Sequence, residues 1–276
     1  MPPNHQFRAA ILEKTGSPLL VERIKADTSL SPGQVLVKIL YSGICGAQIN
    51  EIDAAKGPDR FLPHLLGHEG LAEVLEVGPL VRHVAVGDRV ILHWMQGSGI
   101  QSEPPNYKWG SKSVSAGWVT TLSELAIVSE NRCTPINSTL PETTLPLFGC
   151  AATTSAGVVG REAAVRLGEC AVVLGAGGVG LLTIMAAKAS GAYPIIAVDI
   201  WESRLRAAEH AGASKVLNAS SNSDLAGEIR NELGGSPDVI VEASGARAMI
   251  ELAYNLAQPS GRAILVGVPN VNEPAS

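Results

Sequence analysis

The sequence predicts an α/β protein of two domains, a β-rich N-terminal domain over residues 1–148 and a domain of alternating strands and helices over residues 149–276. In the first part, frequent turns separate short runs in which apolar and polar residues alternate, a period typical of half-buried strands. In the second part, short apolar runs alternate with longer segments of helical period. This change of period sets the predicted boundary between the domains.

The strands of the first part are expected where the alternation is clearest. Gln34 to Tyr41 alternates apolar and polar residues, and Leu71 to Val77 and Arg89 to Leu92 are further strand candidates bounded by turn residues. Residues 93–118 are polar, rich in Gly, Pro and Ser, and without period. We therefore expect a long excursion there, because long segments without periodicity are often functional or mobile.

The second part predicts five strands with helices between them. The strands are expected at 171–174, 195–198, 215–217, 238–242 and 263–266, and the helices near 179–190, 202–211, 222–233 and 246–257. This regular alternation of strand and helix distinguishes the second part from the β-rich first part.

The first of these strands leads into a glycine-rich turn that opens a helix. Gly175 permits the tight turn, Gly177 lets backbone N–H groups approach a pyrophosphate, and Gly180 lets the helix pack close to the strand. Asp199 ends the next strand, where a carboxylate accepts ribose hydroxyls and repels a 2′-phosphate, which favours NAD over NADP. The alternative is an ordinary glycine-rich turn. The residues expected to contact the cofactor here are Gly175, Gly177, Gly178, Val179, Gly180 and Asp199.

The composition excludes several classes of protein. The net charge of −5 argues against nucleic-acid binding, and no apolar run approaches the length of a membrane span. The N-terminus has no apolar signal-peptide core. Because the four cysteines are too scattered to form a disulfide framework, we expect a reduced, cytoplasmic setting.

Three separated stretches carry metal-ligand types. Cys45 follows a predicted strand, His68 precedes one, and Cys150 lies at the domain boundary. Two thiolates and an imidazole would bind zinc and leave a fourth position open, as catalytic sites do. Taken singly, each is poor evidence for a metal site, because Cys45 is more typical of a buried cysteine, His68 of an ordinary turn histidine and Cys150 of a helix-packing cysteine. His64 and His93 are expected to be surface or loop histidines.

Together these motifs resemble the medium-chain, zinc-dependent alcohol dehydrogenases. The patterns G-x-C, G-H-E, G-C-x-x-x-T and G-x-G-x-x-G occur in that family's order over nearly the whole chain. The resemblance implies a GroES-like β domain followed by a Rossmann domain, with one catalytic zinc in the cleft between them. It also implies hydride transfer between NAD and an alcohol (a secondary alcohol, a polyol or a sugar derivative), or the reverse reduction of a carbonyl.

The resemblance assigns a role to each residue that matches a family motif. Cys45, His68 and Cys150 would be the zinc ligands, and Glu69 a carboxylate that orients or transiently joins the metal. Thr154 would face the nicotinamide, and Arg204 would lie beside the adenosine ribose. Ala243 and Val268 would lie along the nicotinamide half of the cofactor.

The chain also departs from the family pattern. Ala47 lacks the hydroxyl that begins the usual proton relay, Gln48 replaces a common aspartate near the metal, and Asn50 replaces a frequent histidine. The segment 93–118 contains no cysteine, so no second, structural zinc is expected. The sequence stops shortly after the predicted strand 263–266, so the Rossmann sheet is expected to lack its last strand.

Two alternatives remain open at this point. One is a zinc-free quinone or enoyl reductase of the same superfamily, and the other is a non-catalytic or impaired nucleotide-binding paralogue. Ala47, Asn50 and the short C-terminal part favour the paralogue, whereas the intact ligand set opposes both alternatives. A homodimer or homotetramer is expected, with a small-molecule substrate and neither nucleic acid nor membrane as a partner.

Overall fold

The computed structural model describes residues 6–26 and 29–271. The chain divides into two compact units, Met1–Cys150 and Ala151–Ser276, with the division two residues after the predicted boundary. None of the described helices is long and apolar enough to cross a bilayer.

The first unit consists of a small closed barrel and a second sheet. The barrel has the strand order β1-β2-β7-β8-β4, and the sheet has the order β10-β6-β5-β3-β9. The strands are β1 (Gln6–Leu12), β2 (Leu20–Lys25), β3 (Gln34–Ser42), β4 (His64–Leu65), β5 (Gly70–Val77), β6 (Arg89–Leu92), β7 (Asn106–Trp109), β8 (Lys112–Ser115), β9 (Leu125–Ser129) and β10 (Cys133–Pro135). The helices are α1 (Gly46–Ile52) and two 3-10 helices, Glu130–Arg132 and Leu145–Gly149.

Strand β3 is buried on both of its faces in its first half. Val35 and Val37 pack in one hydrophobic cluster, whereas Leu36 between them packs in another. Alternation alone predicts one solvated face, but here each face of the strand meets a separate core. The strand therefore joins the barrel's core to that of the second sheet.

The prediction of one long excursion over residues 93–118 is wrong for its second half. Strands β7 and β8 form a hairpin there, with Gly110 at a φ of +58° in the turn. The Tyr107 ring is fully buried edge-on against Phe7 at 5.7 Å, and its hydroxyl accepts from the Ile127 N–H at 2.9 Å. Strands of four residues are too short to show a clear period, and this hairpin is held by contacts with distant strands.

The second unit is a parallel sheet covered by helices on both faces. Its strands, in the order β13-β12-β11-β14-β15, all pair in parallel. They are β11 (Ala171–Leu174), β12 (Ile195–Asp199), β13 (Lys215–Asn218), β14 (Val239–Glu242) and β15 (Arg262–Leu265). The helices are α2 (Ala151–Gly157), which continues as a π-helix over Val158–Glu162, α3 (Gly178–Ala189), α4 (Glu202–Ala211), α5 (Leu225–Leu233) and α6 (Arg247–Leu256).

The core of this unit confirms the predicted alternation of strands and helices. Val172 and Leu174 of β11 face one hydrophobic cluster, and Ala171 and Val173 face another on the opposite side. The strand order reverses between β11 and β14, which creates a crevice at the carboxyl ends of the strands where such sheets bind ligands. Within the described residues the sheet has five strands, with β15 at one edge.

Candidate metal centre and nucleotide-binding loop

Cys45, His68 and Cys150 converge in the first unit. One ligand atom from each lies within 4.8 Å of the others, and the two sulfur atoms are 4.0 Å apart. Two thiolates at about 2.3 Å from one tetrahedral zinc would be separated by about 3.8 Å. The spacing of the sulfur atoms therefore suits a single ion of this kind.

Close backbone packing brings these residues together. Cys45 is the N-cap of α1, directly after β3, and His68 lies in the short connection between β4 and β5. A Cβ at Gly149 would overlap the carbonyl oxygen of Leu92 and lie 2.7 Å from the Glu69 Cα. Glycine at this position thus permits the approach that places Cys150 beside the other two side chains.

The chemistry of the three groups fits zinc. The hydrogen bond with the Cys150 side chain and the nearby His68 ring lower the pKa of Cys45 to about 4, which favours the thiolate form that binds metal. The Nε2 atom of His68 is buried and has no hydrogen-bond partner among the described residues. A buried imidazole nitrogen without a partner is costly unless a metal engages its lone pair.

Glu69 lies next to this cluster in the chain but is not among its three members. Its side chain is buried against Gly43, where an added Cβ would lie 2.7 Å from the Glu69 Cδ. Its backbone carbonyl accepts from the Gly43 N–H at 2.9 Å, which ties the segment before Cys45 to the segment after His68. The expected role of Glu69 toward a metal stays a prediction.

A cavity of about 760 Å³ in the first unit is lined by Gln48, His64, His68 and Trp118, among others. The prediction that His64 is a surface or loop histidine is wrong, because it is buried at the start of β4. Its ring bonds the Leu65 carbonyl at 2.9 Å and the Asp59 carboxylate at 2.7 Å.

Asp59 also accepts from the Phe61 N–H at 2.8 Å. Although partial burial alone would raise it, the hydrogen bonds from Phe61 and His64 hold the pKa of Asp59 below its usual value. The pair thereby fixes a loop that lines the cavity. The Asp59–His64 pair is not predicted from the sequence, where its local signal is a short spacing across Pro63.

In the second unit the glycine-rich turn has the geometry that its sequence predicts. Gly175 has a φ of +97°, and a Cβ there would lie 2.9 Å from Ser244. Gly177 is the N-cap of α3 and has no atom within 4 Å of an added Cβ, so open space faces it. A Cβ at Gly180 would overlap the Gly175 carbonyl oxygen. Gly178 and Val179 are the first two residues of α3.

Asp199 is buried at the carboxyl end of β12. Its carboxylate accepts from the backbone N–H groups of Ala176 at 2.8 Å, Ile200 at 2.8 Å and Trp201 at 3.0 Å. The Arg204 guanidinium is 3.6 Å away. These contacts orient the acid against the glycine-rich turn, which suits the predicted contact with an adenosine ribose.

The other predicted cofactor contacts lie on the same unit. Ala243 follows β14, and its N–H donates to the Leu174 carbonyl at 2.8 Å. A Cβ at Gly245 would lie 2.6 Å from the carbonyl oxygen of Val268, which follows β15. Ala243 and Val268 thus share the carboxyl edge of the sheet with the glycine-rich turn. Thr154 is half-buried on α2.

Comparison with known proteins gives matches in both units. Residues 31–138 match the family model described as alcohol dehydrogenase GroES-like domain, and residues 178–276 match the model described as zinc-binding dehydrogenase. The chain is 33% identical to sorbitol dehydrogenase 1 of Saccharomyces cerevisiae over 94% of its own length and 76% of that protein. It is 30% identical to an alcohol dehydrogenase of Geobacillus stearothermophilus over 95% of its length and 78% of that enzyme.

A solved structure shows the same fold. The crystal structure of an alcohol dehydrogenase zinc-binding domain protein from Burkholderia ambifaria has a TM-score of 0.89 and 27% sequence identity. The similarity covers 99% of this chain and 80% of that one. It therefore extends across both units.

Proposed function

The chain belongs to the medium-chain zinc-type alcohol dehydrogenase family, and on that premise we propose that Cys45, His68 and Cys150 hold its catalytic zinc. The activity is a zinc-dependent hydride transfer between an alcohol and NAD. The observation that carries the assignment is the approach of three ligand atoms to within 4.8 Å of one another. A zinc-free reductase would have no use for this set.

When bound, zinc supplies a Lewis acid for the alcohol oxygen and NAD supplies the acceptor for the hydride. Alcohol and NAD⁺ are thereby converted to a carbonyl compound, NADH and a proton. Cys45 and Cys150 would hold the ion as thiolates, His68 would hold it through Nε2, and Glu69 would orient the site. Because Ala47 carries no hydroxyl, the released proton would pass to water or to another group rather than to a side chain at that position.

NAD binding is assigned to the carboxyl edge of the parallel sheet. The open space at Gly177 suits a pyrophosphate, which the backbone N–H groups at the start of α3 would hold. Asp199 would accept hydrogen bonds from the ribose hydroxyls, with Arg204 beside them. Thr154, Ala243 and Val268 would contact the nicotinamide half.

The substrate class is a secondary alcohol, a polyol or a sugar derivative. The identity of 33% with yeast sorbitol dehydrogenase 1 and of 32% with the sorbitol dehydrogenase of Bos taurus supports a polyol. A screen of alcohols and polyols with NAD tests this assignment directly.

We also propose a cytoplasmic location and a homodimeric or homotetrameric assembly. None of the four cysteines is part of a disulfide, which suits a reducing compartment. Cell fractionation tests the location, and light scattering on the purified chain tests the assembly.

Zinc content per chain tests the proposed function. We expect about one zinc in the unaltered chain and a large loss in Cys150→Ser, because the hydroxyl is a much poorer ligand than a thiolate. Cys170→Ser is the matched control, since Cys170 lies in the second unit and bonds Asp238 instead. Absence of zinc from the unaltered chain, or equal zinc in both variants, would contradict the assignment.

A further inference from the structure

Gln48 links two of the proposed zinc ligands. It is the third residue of α1, and its side chain is 1% exposed. Its Oε1 atom accepts from the Cys45 backbone N–H at 2.9 Å, and its Nε2 atom lies 2.5 Å from the Nδ1 atom of His68. Both ends of this buried amide are therefore engaged within the candidate metal centre.

The direction of both hydrogen bonds follows from the Cys45 backbone. A backbone N–H can only donate, so the amide oxygen of Gln48 must face Cys45. The amide nitrogen then faces His68 and donates to Nδ1, which must accept. A neutral imidazole that accepts at Nδ1 carries its proton on Nε2.

That tautomer is the wrong one for metal binding. Nδ1 is occupied by Gln48, so Nε2 is the nitrogen of His68 that is free to ligate, and a ligating nitrogen must offer a lone pair. Moving the proton to Nδ1 would set the His68 N–H against the Gln48 NH₂ group. Turning the amide would satisfy His68 but leave the Cys45 N–H facing a donor.

We propose that Gln48 is a positioning residue that weakens zinc binding, because the loaded site presents one N–H group to each end of the amide and only the oxygen end can accept. This inference rests on the proposed zinc site. A carboxylate at this position would accept from both the Cys45 N–H and the His68 Nδ1–H, and such partners of metal ligands change metal affinity about 10- to 100-fold.

The nearly isosteric variant Gln48→Glu tests the proposal through zinc affinity, measured by chelator competition on the full chain. We expect the dissociation constant to fall about 10- to 100-fold. Asn50→Asp adds the same charge on the same helix at a residue that has no side-chain hydrogen bond to Cys45 or His68 among the described residues. It controls for charge alone and should change affinity less than about fivefold. Equal effects of the two variants would overturn the proposal.

Nitrogen NMR on the zinc-free, unaltered chain gives an independent test. We expect His68, assigned through a His68→Asn variant, to be protonated at Nε2, and to be protonated at Nδ1 in Gln48→Glu. An unaltered chain with the proton on Nδ1 would overturn the proposal even if the variant failed to fold. Absence of zinc binding by the unaltered chain and by Gln48→Glu would refute the proposed function, whereas equally tight binding by both would refute this inference alone.

Discussion

Alanine in place of Gly177 should weaken nucleotide binding, whereas alanine in place of Gly180 should lower stability, although both glycines belong to one turn. At Gly177 the φ is −75°, and no atom lies within 4 Å of an added Cβ. Alanine is a poorer N-cap than glycine by less than about 1 kcal/mol, and its smaller loss of chain entropy on folding returns about 0.4–1 kcal/mol. The free energy of unfolding should therefore change by less than about 1 kcal/mol.

The methyl group of Gly177→Ala would instead occupy the space that a pyrophosphate needs. A hydrogen bond to a charged group contributes about 1.5–3 kcal/mol. Loss of one such bond would weaken NADH binding about 10- to 150-fold. This variant should thus fold normally and bind NADH poorly.

The opposite result is expected for Gly180→Ala. Its Cβ would overlap the Gly175 carbonyl oxygen and lie 2.9 Å from the carbonyl carbon, both of which are backbone atoms. Helix α3 would have to move away from β11, and overpacking of this kind costs about 1–3 kcal/mol or more. The loss should appear as lower stability in the absence of any nucleotide.

Urea unfolding without nucleotide and NADH titration by fluorescence measure the two effects separately. Gly235→Ala is the control, because an added Cβ there also meets no atom within 4 Å but lies outside the glycine-rich turn. Unchanged NADH affinity in Gly177→Ala would refute the assignment of the pyrophosphate position. Unchanged stability in Gly180→Ala would refute the close contact between helix and strand.

Two further predictions concern buried carboxylates. Glu130 accepts from the backbone N–H groups of Arg82, His83 and Ile100, which hold its pKa below the usual 4.5 although burial opposes this. The contribution of the Glu130 carboxylate to the free energy of unfolding should be complete above about pH 4.5 and should fall as the pH drops through the lowered pKa. The free energy of unfolding of Glu130→Gln should therefore change less steeply with pH in this range than that of the unaltered chain. Asp199→Asn should lower the ratio of NADPH to NADH dissociation constants, because the charge that repels a 2′-phosphate is gone. An unchanged ratio in nucleotide titrations would count against that role.

Local periodicity and turn residues predict much of the fold. The strands and helices of the second unit lie within a few residues of their predicted positions, because the three central strands bury whole apolar runs and turn residues bound the elements. The β7–β8 hairpin was missed because four-residue strands show little period. His64 was misjudged because its burial depends on Asp59 and on the barrel around it.

The sequence by itself determined the order of strand, glycine turn, helix and acid, and the presence of two cysteines and a histidine in family motifs. Only the tertiary structure decided that Cys45 and Cys150, which are far apart in the chain, place their sulfur atoms 4.0 Å from each other. Contacts between distant segments depend on how sheets pair and how closely backbones approach, as at Gly149. The direction of the Gln48 amide is likewise decided by the tertiary structure. The Cys45 backbone N–H lies at one end of the amide and His68, from the connection between β4 and β5, lies at the other, and together they fix which end carries the oxygen.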